Sequence, residues 1–97
     1  MRRIFYVCST LKNGALTKSF FKKSFESKSS ALPKTGSIIA PGCLASDYGT
    51  LRQGEITDVK VSEDIISILV RTETAEEDLR GYLTSKNGWE EVSRFEE

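Results

Sequence analysis

The chain has 97 residues, 38% of them hydrophobic and 29% charged, with equal numbers of basic and acidic side chains. This length suits one domain with one modest core and is too short for two. The ordinary composition excludes a disordered or collagen-like chain, so we expect a single folded domain over residues 1–97.

The first predicted element is a strand over residues 3–10, because positions 4–7 are aromatic or β-branched. Both faces of this strand are apolar, which is typical of a strand covered on both sides and places it in the centre of a sheet. Lys12, Asn13 and Gly14 follow it as a turn signal.

The next segment has two interpretations. Leu16, Phe20, Phe21 and Phe25 recur with spacings of four, one and four, which predicts a helix with one apolar face. The competing interpretation is a strand that forms a hairpin with the first strand through Asn13-Gly14. The helix accounts for all four apolar residues and is the leading prediction.

A loop and a short strand are predicted next. Residues 27–35 are polar and contain a proline, which indicates a loop. Residues 36–40 are a candidate short strand, ended by Pro41 and Gly42. Residues 44–51 are too rich in glycine and polar residues to assign.

The clearest hairpin joins residues 53–61 to residues 65–72. In its first arm Ile56 falls on one face of the strand, whereas Val59 and Val61 fall on the other. The alternation of this arm is therefore imperfect.

A helix is predicted from Thr74, because Thr74 and Glu77 have the spacing of a capping box. The apolar residues that follow keep the helical period, and Asn87 with Gly88 forms a left-handed stop. Residues 89–95 are the candidate closing strand.

In chain order these elements are strand, helix, strand, strand, helix and strand. This order predicts an α+β fold of the ferredoxin-like, split βαβ type, with two helices on an antiparallel sheet. The alternative takes residues 36–72 as a small SH3-like β-barrel with a helix and the rest of the chain packed around it.

The chain contains no histidine, which excludes histidine-dependent serine and cysteine hydrolase systems and histidine-ligated zinc. The acids at positions 76–78 are consecutive, so they point around the helix start and do not converge on a substrate. No nucleotide-binding or calcium-binding loop motif is present. We therefore expect a non-enzymatic protein without cofactor or metal, and an enzyme that uses Cys43 or Asp47 is the remaining alternative.

The cysteine count and the apolar runs bear on the compartment. Cys8 and Cys43 match no metal-binding or redox motif, which favours a reduced, cytoplasmic setting, and Cys8 is expected to be buried in the first strand. No apolar run approaches the roughly 18 residues of a membrane helix. The N-terminal apolar stretch stops at Ser9, so neither a membrane span nor export is expected.

The predicted two-layer fold leaves a second face of the sheet uncovered. Tyr6 and Cys8 of the first strand, with Ile65 and Leu69 of the hairpin, make this face half apolar. These four residues are the predicted partner-binding surface of a small regulator or inhibitor that binds another protein, or itself as a homodimer. The competing interpretation is that the long loop 29–52 folds over this face.

RNA or DNA binding is the alternative function. Residues 1–48 hold eight basic and two acidic side chains, a net charge of +6, and residues 49–97 hold six basic and twelve acidic ones, a net charge of −6. A basic half attracts nucleic acid unless the acidic half neutralises it. Lysines also alternate with aromatic residues, as in proteins that stack single-stranded bases. The candidate nucleic-acid-binding residues are Arg2, Arg3, Lys18, Lys22 and Lys23.

Overall fold

The computed structural model describes residues 2–10, 16–26, 32–45 and 49–96. Within these residues the chain forms six strands and two short helices. In chain order the elements are β1 (Arg2–Thr10), β2 (Leu16–Glu26), β3 (Ile38–Ile39), α1 (Pro41–Leu44), β4 (Gly54–Ser62), β5 (Ile65–Thr72), α2 (Glu76–Leu79) and β6 (Glu90–Val92). A wider π-helical segment, Arg80–Ser85, continues α2.

The strands form one sheet in the order β3-β4-β5-β1-β2-β6, and the sheet curls into a half-barrel. β1 is parallel to β5, and all other neighbours are antiparallel. The predicted central position of the first strand is therefore confirmed. So are the hairpin of β4 and β5, the short β3 and the closing strand β6.

The helix predicted from Leu16 to Phe25 is wrong, because β2 is an 11-residue strand paired with β1. A spacing of four is an even number, so it places Phe21 and Phe25 on one face of a strand as well as on one face of a helix. These two pack into the main core, while Phe20 packs on the opposite face. The turn signal at Asn13-Gly14 lies outside the described residues.

With this segment as a strand, the ferredoxin-like arrangement is also wrong. The described residues contain one short helix on each side of the β4–β5 hairpin, and the sheet is mixed rather than antiparallel. The alternative of a small SH3-like barrel is compatible with the curled half-barrel.

The two faces of the sheet carry separate apolar clusters. The helix face, which α2 covers, holds the main core, and a hydrogen bond from the Trp89 indole nitrogen to the Leu44 carbonyl oxygen (3.2 Å) ties α1 to it. The second face holds a smaller cluster. Among the fully buried side chains of the main core are Val7, Phe21, Ile68, Leu79 and Leu83.

A β-bulge explains the imperfect alternation in the β4 sequence. The pairing with β5 shifts between Ile56 and Asp58, so Thr57 is an extra residue. One inserted residue returns Val59 and Val61 to the face on which Ile56 lies. Ile56 and Val59 accordingly both pack in the main core.

The start of α2 differs from the predicted capping box. Ala75 is the N-cap residue and makes no side-chain cap hydrogen bond. The Thr74 hydroxyl instead accepts from the Arg52 amide (2.8 Å) and lies 2.9 Å from the Thr72 hydroxyl. The capping box is therefore wrong, whereas the left-handed stop at Gly88 is confirmed by its φ of 75°.

Gly54 occupies a position where the packing of β4 against β5 requires glycine. A Cβ there would lie 2.4 Å from Cγ1 of Val70 and 3.1 Å from the carbonyl oxygen of Arg71. Because neither neighbour can move without loss of packing, we expect Gly54→Ala to lower the free energy of unfolding by about 1–3 kcal/mol.

The matched control is Gly81→Ala, whose Cβ would meet nothing within 4 Å. In this helical segment alanine is expected to keep the free energy of unfolding or raise it by up to about 1 kcal/mol. Urea unfolding of both variants measures the difference. Equal losses in the two variants would contradict the packing argument.

Candidate interaction surfaces

The pairing of β1 with β5 brings the predicted partner-binding residues to one face of the sheet. Tyr6 lies opposite Leu69, and Cys8 follows two residues later on the same face. These three side chains form one cluster and are 2%, 9% and 0% exposed, respectively. Ile65, opposite Arg2 at the other end of β5, is half-buried. The four residues share a face, but three of them are closed to a partner in this conformation.

A C-terminal segment, residues 93–96, covers this cluster, and we call it the strap. The Phe95 ring meets the Tyr6 ring edge to face, with their centroids 5.0 Å apart. The Glu96 carboxylate lies 3.6 Å from the Lys60 ammonium, which is also 5.8 Å from the centre of the Phe95 ring. The strap therefore joins β6, at one edge of the sheet, to β4 near the other.

The competing interpretation placed loop 29–52 over the second face, but the described part of this loop packs elsewhere. Leu44, Ala45 and Leu51 are buried in the main core on the helix face. The single turn of α1 holds the first two there, because the Ala45 amide donates to the Pro41 carbonyl oxygen (3.1 Å). The described residues that pack on the second-face cluster from outside β1 and β5 come from β2, β6 and the strap.

Cys8 is fully buried, which confirms the prediction, and its thiol donates a hydrogen bond to the Val70 carbonyl oxygen (3.7 Å). Burial raises the pKa of the Cys8 thiol to about 12, although the nearby Arg71 guanidinium acts in the opposite direction. The thiol is therefore protonated at neutral pH. A protonated, buried thiol is not a nucleophile.

Cys43 is exposed and borders a shallow cavity of about 280 Å³ that Phe5 and Phe25 also line. Asp47, the other residue considered for catalysis, lies outside the described residues. In the part of the chain that is described, no three acidic or cysteine side chains come close enough together to hold a metal ion. The cavity thus offers an apolar contact beside a thiol.

The candidate nucleic-acid-binding residues do not share one surface. Neighbouring residues of a strand point to opposite faces of its sheet. Arg2 and Lys22 accordingly lie on the second face, whereas Arg3 and Lys23 lie on the helix face. Lys18 belongs to the same strand as Lys22.

Several of these basic side chains also have partners within the protein. The contacts are Arg2 with the Glu26 carboxylate (3.5 Å), Lys22 with the Glu90 carboxylate (4.0 Å) and Lys23 with the Asn87 carbonyl oxygen (2.9 Å). The aromatic residues between them pack in the two clusters. Base stacking requires accessible rings, so the arrangement of this segment does not favour nucleic acid.

A groove of about 450 Å³ lies near Thr10. Two arginines line it, but Arg71 lies 2.9 Å from the Glu55 carboxylate and Arg52 lies 3.6 Å from the Glu73 carboxylate. The charges in this groove are balanced in pairs, so it does not form a basic pocket.

β4 lies near the edge of the sheet, and β3 covers only its first residues. The Ile56 amide donates to the Ser37 carbonyl oxygen (2.9 Å), and the Ile56 carbonyl oxygen accepts from the Gly36 amide (2.7 Å). Beyond Ile56, no strand among the described residues pairs with the outer side of β4. Within the described part of the chain, the outer side of residues 57–62 is therefore open.

Val59 and Val61 present their backbone groups on this open side. A two-residue turn separates Ser62 from Ile65, so these two residues form a hydrogen-bonded pair. The backbone groups of successive β4 residues then alternate between pointing toward β5 and pointing away from it. The N–H and C=O groups of Val59 and Val61 consequently face outward. We call this outer side of Val59–Val61 the β4 edge.

The apolar side chains at this edge strengthen its character as an interaction surface. Val61 is 53% exposed. An open edge with apolar side chains is a template for another strand. Sequence reasoning missed this surface, although the broken alternation between Ile56 and Val59 indicates the β-bulge next to it.

No helix among the described residues has the length and apolarity to cross a bilayer. The strap-covered second face and the β4 edge are the two candidate interaction surfaces. Comparison with protein-family models, with curated proteins and with solved structures gave no match for the chain, so no family is assigned to it.

Proposed function

We propose that this protein is a small non-enzymatic regulator or inhibitor that acts by binding another protein at the β4 edge. The outward N–H and C=O groups of Val59 and Val61, beside the exposed Val61 side chain, carry this proposal. An extended segment of the partner adds to the sheet as a further strand, and the backbone hydrogen bonds supply affinity.

Side chains at the β4 edge define the chemistry of the added strand. Val59 and Val61 lie on the helix face, so the partner residues opposite them are apolar or β-branched. Lys60 lies between them on the second face, so an acidic residue is favoured opposite its ammonium group. The partner strand therefore alternates apolar and acidic residues.

Lys60 also disfavours a second copy of this chain as the partner. Symmetric pairing about Lys60 uses all the outward groups of Val59 and Val61, but it places the two lysines directly opposite each other. A lysine in the middle of an open edge is a device that limits self-association. A homodimer through β4 is therefore less favoured than a different protein.

The test combines crosslinking with a change of the edge. A photo-crosslinking amino acid at Ser62, which is exposed next to the β4 edge, is expected to capture a protein in the host cell. Val61→Pro removes one outward N–H and no hydrogen bond to β5, so it is expected to abolish this adduct. Mass spectrometry identifies the captured molecule.

The matched control places the same crosslinker at Glu77, which is exposed on α2. Adducts formed equally from Ser62 and Glu77, or unaffected by Val61→Pro, would refute the β4 edge as the binding site. An adduct with nucleic acid at Ser62 would refute protein binding. An adduct of two copies of this chain would refute the heterologous partner.

A further inference from the structure

The strap contacts the second face through two different side chains. The Phe95 ring packs against the cluster of Tyr6, Cys8 and Leu69. The Glu96 carboxylate, one residue later, pairs with Lys60. The second face therefore has an apolar floor and a cation at one end of it.

This arrangement selects a particular dipeptide. An aromatic ring fits the floor because it meets Tyr6 edge to face, and the Lys60 ammonium lies over the same ring. A carboxylate on the next residue then reaches Lys60. An aromatic residue followed by an acid satisfies both features at once.

The strap is weakly held in this position. Residues 93–96 lie outside the strands of the sheet, because β6 ends at Val92. The side chains of Lys60 and Glu96 are 51% and 46% exposed, and exposed ion pairs contribute little to stability. Glu96 also has a φ of 70°, a left-handed conformation that is unfavourable for a residue with a Cβ.

We infer that the second face is a docking groove for a segment of another protein in which an aromatic residue precedes a carboxylate, and that Phe95 and Glu96 occupy it as an internal copy of that segment. A partner segment makes the same contacts without the left-handed residue, and it displaces the strap. This groove shares Lys60 with the β4 edge but does not use the outward backbone groups of Val59 and Val61, so Val61→Pro distinguishes failure of one proposal from failure of the other.

The test offers the strap sequence to the groove from outside. The probe is a fluorescent synthetic peptide, Val-Ser-Arg-Phe-Glu-Glu, which repeats residues 92–97. The receptor is the full chain with Phe95→Ala, in which the groove has lost its aromatic occupant. Fluorescence anisotropy is expected to show saturable binding, and wild-type protein is expected to bind the peptide at least about tenfold more weakly, because burial of one aromatic side chain is worth that much.

Two controls test whether the peptide binds through its phenylalanine and through Lys60 of the groove. A peptide with alanine in place of its phenylalanine is expected to bind the Phe95→Ala chain at least about tenfold more weakly. Adding Lys60→Gln to that chain is expected to weaken the peptide several-fold and to remove the dependence of its binding on salt. Val61→Pro, which alters only the β4 edge, is expected to leave peptide binding unchanged.

The inference is overturned if the peptide does not bind the folded Phe95→Ala chain, or if the alanine peptide binds equally well. Circular dichroism establishes whether that chain is folded. If it is not, Glu96→Lys serves as the receptor, because a like charge beside Lys60 repels the strap and leaves the residues of the groove unchanged. Failure of the peptide with this second receptor overturns the inference in the same way.

Discussion

Lys60→Pro is expected to lower the free energy of unfolding by about 3 kcal/mol or more, whereas Val61→Pro, one residue away, is expected to cost far less. The Lys60 backbone pairs with Ser67 on the β5 side, so proline removes a hydrogen bond from within the sheet. The Val61 amide points outward and bonds to no strand among the described residues. The same substitution is thus expected to cost much more stability at Lys60 than at the neighbouring Val61.

Urea unfolding of the two variants measures this difference. Lys60→Ala is the control for the loss of the lysine side chain, and it is expected to cost less than about 1 kcal/mol because the ion pair with Glu96 is exposed. Similar losses for Lys60→Pro and Val61→Pro would show that the outward direction of the Val61 amide is wrong. The proposed strand addition would then lose its basis.

The bulge in β4 shows why this edge could not be predicted from the sequence. Ile56, Val59 and Val61 read as residues of two different faces when alternation is assumed to be unbroken, and one extra residue at Thr57 reconciles them. A bulge has no distinct residue signature here. In addition, β4 is open beyond Ile56 because β3, its outer neighbour among the described residues, is only two residues long.

The second face was predictable in part. Alternation in β1 and β5 placed Tyr6, Cys8, Ile65 and Leu69 on one face, and the register agrees. The strap that covers them was not predictable, because the three-residue spacing of Trp89, Val92 and Phe95 permits either a strand or a helical turn. The strap reaches Lys60 only because the sheet curls, which depends on contacts between residues distant in sequence.

The error in β2 has a different cause. Phe21 and Phe25 suit both a helix and a strand, because a period of 3.6 and a period of 2 both bring residues four apart to one face. Local sequence therefore does not decide between them. The deciding factor is the long pairing with β1, which supplies hydrogen-bond partners to the backbone groups along one side of that strand.

The stability of the protein is expected to fall steeply above pH 9 because of Cys8. The ordinary pKa of the thiol is 9.0, and burial raises it to about 12 in the folded chain. Below pH 9 both the folded and the unfolded chain keep the proton, so this thiol causes no pH dependence. Between pH 9 and pH 12 the unfolded chain releases the proton and the folded chain does not. Unfolding is then favoured increasingly, by up to about 1.4 kcal/mol for each pH unit.

Cys8→Ala isolates this effect from the titration of lysines and tyrosines, which both proteins share. The difference in free energy of unfolding between wild type and Cys8→Ala, measured in urea from pH 8 to pH 11, is expected to be constant up to about pH 9. It is then expected to shift against the wild type by about 2 kcal/mol or more at pH 11. A pH-independent difference for Cys8→Ala would mean that the thiol is not shielded from water in the folded state.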